Sequence, residues 1–120
     1  MPRILLTTRL MDDVLEMLRK NGMELRVNPH GRAFTPDELL EEVRTADGVI
    51  LGMEKFDGKV MDNAPKLKAI GRYGVGYDNV DVAAATERGI YVTYTPCVLC
   101  DAVADESMGF IICAARKLPQ

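Results

Sequence analysis

The chain has 120 residues, of which 48% are hydrophobic and 28% charged, with no Trp and a formal net charge of −3. That length suits a single domain that buries a core without disulfide or metal, and an acidic balance with no basic patch among aromatics excludes nucleic acid as a partner. No apolar run approaches the ~20 residues of a membrane span, Met1–Leu6 is too short for a signal peptide, and three cysteines do not make a secretory disulfide framework, so the cytoplasm is the expected location.

Arg3–Thr7 reads as a buried strand, with Ile4-Leu5-Leu6 continuous rather than alternating, as parallel strands tend to be. Met11–Lys20 reads as a helix with Met11, Val14, Leu15 and Leu18 on one face, acids at its start, bases at its end and Gly22 stopping it. Met23–Val27 is a second strand. Thr35-Pro36-Asp37-Glu38 is a capping box with Pro at the first helical position, followed by Leu39, Leu40 and Val43 at helical spacing. Gly48–Leu51 is a third strand, and Asp57 caps a short helix that Pro65 ends. Leu67–Gly71 is a fourth strand, Asp81 caps the next helix, Gly89 terminates it, and Ile90–Thr93 is the fifth strand. Strands alternating with helices at short intervals predict an α/β fold: a flavodoxin-like parallel sheet of order 2-1-3-4-5, covered on both faces. Ligands of such sheets sit beyond the carboxyl ends of the strands, near the switch between strands one and three.

The last segment departs from this pattern. Asp101–Lys117 reads as a helix, yet Phe110-Ile111-Ile112-Cys113-Ala114-Ala115 is apolar around its whole circumference. One sheet does not cover every side of such a helix, which points to a second domain or a partner. The expected division is residues 1–100 as one domain and 101–120 as a terminal helix.

Between strand four and its helix lies Tyr73-Gly74-Val75-Gly76-Tyr77-Asp78-Asn79. It has the first two glycines of G-x-G-x-x-G, but Asn79 stands in place of the third. Tyr94, Thr95 and Pro96 occupy the region where a ribose-binding acid is expected. A loop that leaves a strand and enters a helix aims backbone N–H groups at one point, and Gly74, Val75 and Gly76 are therefore candidates for holding a small anion.

Other chemistry finds less support. Cys97-Val98-Leu99-Cys100 sits between a strand and a helix, the setting of a redox dithiol whose thiol pKa a helix N-terminus would lower, but a bare C-x-x-C reads first as small residues filling a turn. A zinc site lacks ligands, since only His30 and Cys113 remain, and a single His leaves no Ser-His-Asp arrangement. A phospho-acceptor receiver would need carboxylates after strands one and three, where Thr7-Thr8-Arg9 and Gly52-Met53 stand. A flavin loop would need glycine after strand one, and there is none.

Tyr73–Asp81, then Ala84-Ala85-Thr86-Glu87-Arg88-Gly89-Ile90-Tyr91-Val92-Thr93, then Asp101-Ala102-Val103-Ala104-Asp105 resemble, in order and spacing, the D-2-hydroxyacid dehydrogenase family, which includes phosphoglycerate dehydrogenase and the glyoxylate/hydroxypyruvate reductases. Residues 1–66 agree only in pattern. The resemblance implies a flavodoxin-like substrate-binding domain whose Val75 and Gly76 amides hold the substrate carboxylate. It also implies a helix, Asp101–Lys117, that crosses to a Rossmann domain carrying the G-x-G-x-x-G and the catalytic Arg, Glu and His, which residues 1–120 do not contain. The family commonly has Asn, Gly and Thr where this chain has Tyr94, Cys97 and Cys100, so the cofactor contact implied at Cys100 rests on a changed residue. Thr93–Pro96 is closer to the reductases, and Lys55 is the single cation after strand three, which together favour a small unphosphorylated 2-oxo or 2-hydroxy acid. The expectation is thus the substrate-binding domain of an NAD- or NADP-dependent dehydrogenase, binding no cofactor and inactive by itself, and dimerising through helix 101–117. The alternatives are a stand-alone anion- or protein-binding module and a dithiol redox protein.

Overall fold

The structure, a computed structural model, describes residues 1–118. Five strands, β1 (Arg3–Leu6), β2 (Glu24–Val27), β3 (Gly48–Leu51), β4 (Ala69–Arg72) and β5 (Tyr91–Thr93), form one sheet of order β2-β1-β3-β4-β5. Every pairing is parallel, with Leu5 opposite Val49 and Ile70 opposite Val92. The helices are α1 (Asp12–Lys20), α2 (Pro36–Glu42), α3 (Gly58–Asp62), α4 (Val82–Glu87) and α5 (Cys100–Arg116). The expected topology is the one observed.

Local chemistry sets the helix starts. Thr35 and Glu38 form the reciprocal capping box, and Asp57 and Asp81 accept hydrogen bonds from the N–H groups of Val60 and Ala84. Gly89 ends α4 at a positive φ of 67°. Met11 is the N-cap of α1 rather than its first residue, and it offers no side-chain cap. β4 begins and ends later than its apolar run suggests, and Arg72 is its last residue.

Side-chain alternation divides the core. Leu5, Val49, Leu51 and Ile70 face α2, α3 and α4 in the main cluster with Phe34, Leu39, Val43, Phe56 and Met61. Leu6 faces α1 in a smaller cluster with Leu10 and Leu15, which Ile4 and Ile50 join. The expectation of a sheet covered on both faces holds only in part. On the α1 side, Ala69, Tyr91 and Thr93 of β4 and β5 are exposed, because among the described residues α1 is the one helix packed there and it lies over β2, β1 and β3.

The terminal helix stands off this body. α5 spans Cys100–Arg116 and buries no residue. The radius of gyration is 17.4 Å and the longest extent 55 Å, against about 14 Å for the radius of a compact domain of this length. Leu99 is its N-cap and offers no side-chain bond, so the start of α5 is uncapped by any side chain. Pro119 and Gln120, the end of the expected 101–120 segment, lie outside the described residues.

Candidate active site

The carboxyl ends of β1, β3 and β4 border an open cleft of about 860 Å³, lined among others by Thr7, Arg9, His30, Glu54, Arg72 and Tyr73. It lies at the switch between β1 and β3, where parallel sheets place their ligands. Tyr73 connects it to the Gly74–Gly76 loop, while Val75 and Gly76 stand just outside it.

The loop after β4 is fixed at both ends. Arg72, the last residue of β4, shares the inward face with Ile70 two residues earlier and is only 8% exposed. Its Nε donates to Asn79 Oδ1 at 3.0 Å, and its guanidinium also donates to the Tyr73 carbonyl and meets the Met53 sulfur at 3.2 Å. Asn79 in turn donates through Nδ2 to the carbonyls of Gly52 at 3.1 Å and Glu54 at 2.8 Å. Its own carbonyl accepts from the Phe56 N–H at 2.8 Å, beside a parallel bridge between Phe56 and Val80. At the other end the Thr95 N–H bonds the Gly74 carbonyl at 3.1 Å, and Tyr77 packs on Tyr94 with ring centroids 4.9 Å apart.

These anchors decide what each predicted site residue offers. Gly74 has φ 142°, and a β-carbon there would lie 2.8 Å from Arg72 Nη1, so glycine is needed both for the backbone state and for the approach of the guanidinium. Its N–H bonds the Arg72 carbonyl at 3.1 Å. The N–H groups of Val75 and Gly76 have no acceptor among the described residues, and both residues are exposed. Arg72 has no carboxylate within ion-pair distance among the described residues. A buried cation without an anionic partner is costly, and an anion at the loop offsets that cost. Asp78, whose Oδ1 lies 3.2 Å from a β-carbon position at Gly76, opposes it from the solvent side.

Another part of the cleft lining carries a buried carboxyl group. Glu54, 7% exposed, accepts the Thr7 hydroxyl at 2.7 Å and the Phe34 N–H at 3.2 Å. Thr7 Oγ1 also accepts from the Gly52 N–H at 2.8 Å, which ties the end of β1 to the turn after β3. His30 is an exposed loop residue, as its Asn-Pro-His-Gly setting suggests. It lines the cleft, stands edge-on to Phe34 at 5.9 Å, and has Nε2 3.7 Å from Glu38. Arg32 clamps the same Glu38 and, with the Thr35 N–H, holds its carboxyl down at about 2.

Arg72, Asn79, Glu54 and Thr7 were not singled out from the sequence. For Arg72 the signal was present: two residues beyond Ile70, it shares the buried face of β4 once the strand is taken to position 72. Asn79 drew notice only as a missing glycine, and its three side-chain bonds join segments far apart in the chain. Cys97 and Cys100 are both exposed, and a hydrogen bond to Cys97 pushes the Cys100 thiol up, not down as a helix N-terminus alone would.

A dinucleotide does not fit the β4–α4 turn. The Asp81 carboxylate occupies the N-terminus of α4, accepting the Ala84 N–H at 2.9 Å where a pyrophosphate would sit, and Asn79 is held by Arg72. No group of three or more His, Cys, Asp or Glu suited to a metal occurs among the described residues. No helix there is long and apolar enough to cross a membrane.

Known proteins share this fold. A glyoxylate reductase of Thermococcus gammatolerans is 43% identical over 118 residues, which is 98% of this chain and 35% of the relative. The TT0316 protein of Thermus thermophilus superposes with a TM-score of 0.88 at 43% identity, covering 97% of this chain and 37% of that one. A 3-phosphoglycerate dehydrogenase of Entamoeba histolytica, solved with NAD+ bound, superposes with a TM-score of 0.80 at 29% identity, over 93% of this chain and 38% of that one. The chain thus spans about a third of the length of the curated relative it matches. The family model for the D-isomer specific 2-hydroxyacid dehydrogenase catalytic domain matches residues 4–107, and the chain belongs to that family.

Proposed function

We propose that residues 1–100 are the substrate-binding portion of an NAD- or NADP-dependent D-2-hydroxyacid dehydrogenase, and that the Val75 and Gly76 amides receive the carboxylate of a 2-oxo or 2-hydroxy acid. The observation that carries this reading is the pair of unpartnered N–H groups beside a buried guanidinium that lacks a carboxylate. Arg72 lies beneath the loop and adds positive potential, and the Thr95 and Asn79 anchors keep the two donors aimed before the ligand arrives. The cleft beyond Tyr73 takes the rest of the substrate, and buried Glu54 in its lining favours an uncharged or hydrogen-bond-donating end over a phosphate.

The parent's reaction is the oxidation of a 2-hydroxy acid or the reverse reduction at C2, with the nicotinamide held outside residues 1–118. This chain's own part is to bind and orient. Its single His is on the β2–α2 loop, packed on Phe34, and is not the acid/base. The family commonly has a threonine where Cys100 stands, so a cofactor contact there would come from a thiol in place of a hydroxyl. α5 is the segment that crosses to the nucleotide-binding domain, and in the isolated chain a second copy covers it. The parent works in the cytoplasm.

Amide NMR of the 120-residue chain titrated with glyoxylate tests the site. Shifts centred on Val75 and Gly76 are expected, with millimolar or weaker affinity, since few hydrogen bonds in a half-open site oppose the loss of ligand freedom and Asp78 repels the anion. Unmoved signals at both residues would overturn the proposal. The same chain with glyoxylate, hydroxypyruvate and NADH or NADPH is expected to show no turnover; steady consumption by pure protein would contradict it.

A further inference from the structure

The C-x-x-C spacing reads as turn filler when taken alone, but the geometry gives it another use. Cys97 and Cys100 occupy one tight turn, closed by the Cys100 N–H on the Cys97 carbonyl at 3.2 Å. Such a turn brings the two α-carbons within the span that a disulfide bridges. A hydrogen bond to Cys97 pushes the Cys100 thiol up, so the two side chains act on one another across this turn. Both residues are exposed, so a small oxidant reaches them. Cys97 also has φ 58°, one of two non-glycine residues with positive φ among the described residues. That backbone state favours glycine, and a side chain held there is an outlier that asks for a use.

We propose that Cys97 and Cys100 are a modification site, a vicinal dithiol that a hydroperoxide oxidises to an intramolecular disulfide at the hinge between β5 and α5. Cys97 attacks one peroxide oxygen as its thiolate. The O–O bond breaks, the leaving oxygen departs as water after taking a proton, and Cys97 becomes a sulfenic acid. The Cys100 sulfur then displaces the sulfenic hydroxyl, which leaves as a second water with the Cys100 proton, and the S–S bond forms. Two thiols and one hydrogen peroxide give one disulfide and two waters; both sulfurs are oxidised and both peroxide oxygens reduced. Cys100, whose thiol is pushed up beside Cys97, keeps its proton until this second step.

The consequence is local and mechanical. Thr95, two residues before Cys97, bonds the Gly74 carbonyl, and Leu99 begins α5. Closing the S–S bond tightens the 97–100 turn between those two points. The bond therefore sets both the departure angle of α5 and the segment after β5 that pins the candidate anion loop. This site stands apart from the substrate reading and survives its failure.

Hydrogen peroxide at one to five equivalents on the 120-residue chain, followed by intact mass and peptide mapping, is the test. The expected result is loss of two hydrogens, a Cys97–Cys100 cross-linked peptide, and Cys113 still open to alkylation. Amide signals of Gly74 and Thr95 shift in the oxidised form and return with dithiothreitol. Cys97→Ser and Cys100→Ser abolish the cross-link, whereas Cys113→Ser leaves it. The unsubstituted chain answers by itself if a variant misfolds. Both thiols remaining alkylatable, or oxidation confined to Cys113 or to bridges between copies, overturns the proposal. A disulfide that leaves Gly74 and Thr95 unmoved overturns its link to the hinge.

Discussion

Asn79→Ala removes the side chain that joins the turn after β3 to the loop after β4. Three hydrogen bonds go with it: two neutral ones to the Gly52 and Glu54 carbonyls and one from the charged Arg72. Neutral bonds contribute about 1 kcal/mol each and a bond to a charged group about 1.5–3 kcal/mol. Complete loss would then be about 3.5–5 kcal/mol, and water entering beside this half-buried residue returns part of it, leaving about 2–4 kcal/mol. A domain of this size has about 5–15 kcal/mol in total, and each kcal/mol moves its melting temperature by about 3–5 °C. The expected fall is about 6–20 °C by circular dichroism, with a lower urea midpoint and an unchanged slope. Asn21→Ala is the control, because Asn21 makes one exposed side-chain bond to the Met17 carbonyl; it should lose no more than about 0.5 kcal/mol. If Asn79→Ala loses as little as Asn21→Ala, Asn79 does not hold the two loops together and the case for a pre-set anion loop fails.

Gly76→Val should abolish the glyoxylate-induced amide shifts with the fold intact by circular dichroism, since Gly76 lacks a positive φ and a β-carbon there meets only the Asp78 carboxylate; shifts that persist would remove the loop from the site. Glu38 gives a pH dependence with a definite sign. Its carboxyl is held down from 4.5 to about 2, first by Arg32 and then by the Thr35 N–H, so the unfolded chain binds its proton more readily than the folded one. The stabilisation is present above pH 4.5 and is lost as pH falls toward 2; Glu38→Gln should flatten that part of the stability–pH curve, and an unchanged curve would show that the clamp carries no folding energy. The apolar surface of α5 predicts self-association. Met108, Phe110, Ile111 and Ile112 are each more than half exposed, and burying such side chains yields about 1.5–3 kcal/mol apiece. Sedimentation of the 120-residue chain should show a dimer that Phe110→Glu with Ile111→Lys dissociates, and a concentration-independent monomer would refute the pairing.

The fold was legible because it follows from local rules. Thr35–Glu38, Asp57, Asp81 and Gly89 announce helix ends by satisfying backbone groups within a few residues. The short apolar runs between them, separated by helices, leave a parallel sheet as the arrangement that buries both sets. Gly74, Val75 and Gly76 stood out for the same reason, since a strand–glycine–helix junction is a short-range pattern. Tertiary structure decided the rest. Arg72 reads as a loop cation until pairing with β3 extends β4 by one residue and turns it inward beside Ile70. Asn79 reads as a failed glycine until the 52–56 turn arrives to accept its hydrogen bonds. Cys97 and Cys100 have one spacing in every C-x-x-C sequence, but the left-handed backbone at Cys97 and the turn closed by the Cys100 N–H are features of the folded chain that no neighbouring residue type predicts. Short-range hydrogen bonding is written in the order of the residues, whereas the burial of Arg72 and the long-range bonds of Asn79 depend on which distant segments share a space, and only the folded chain fixes that.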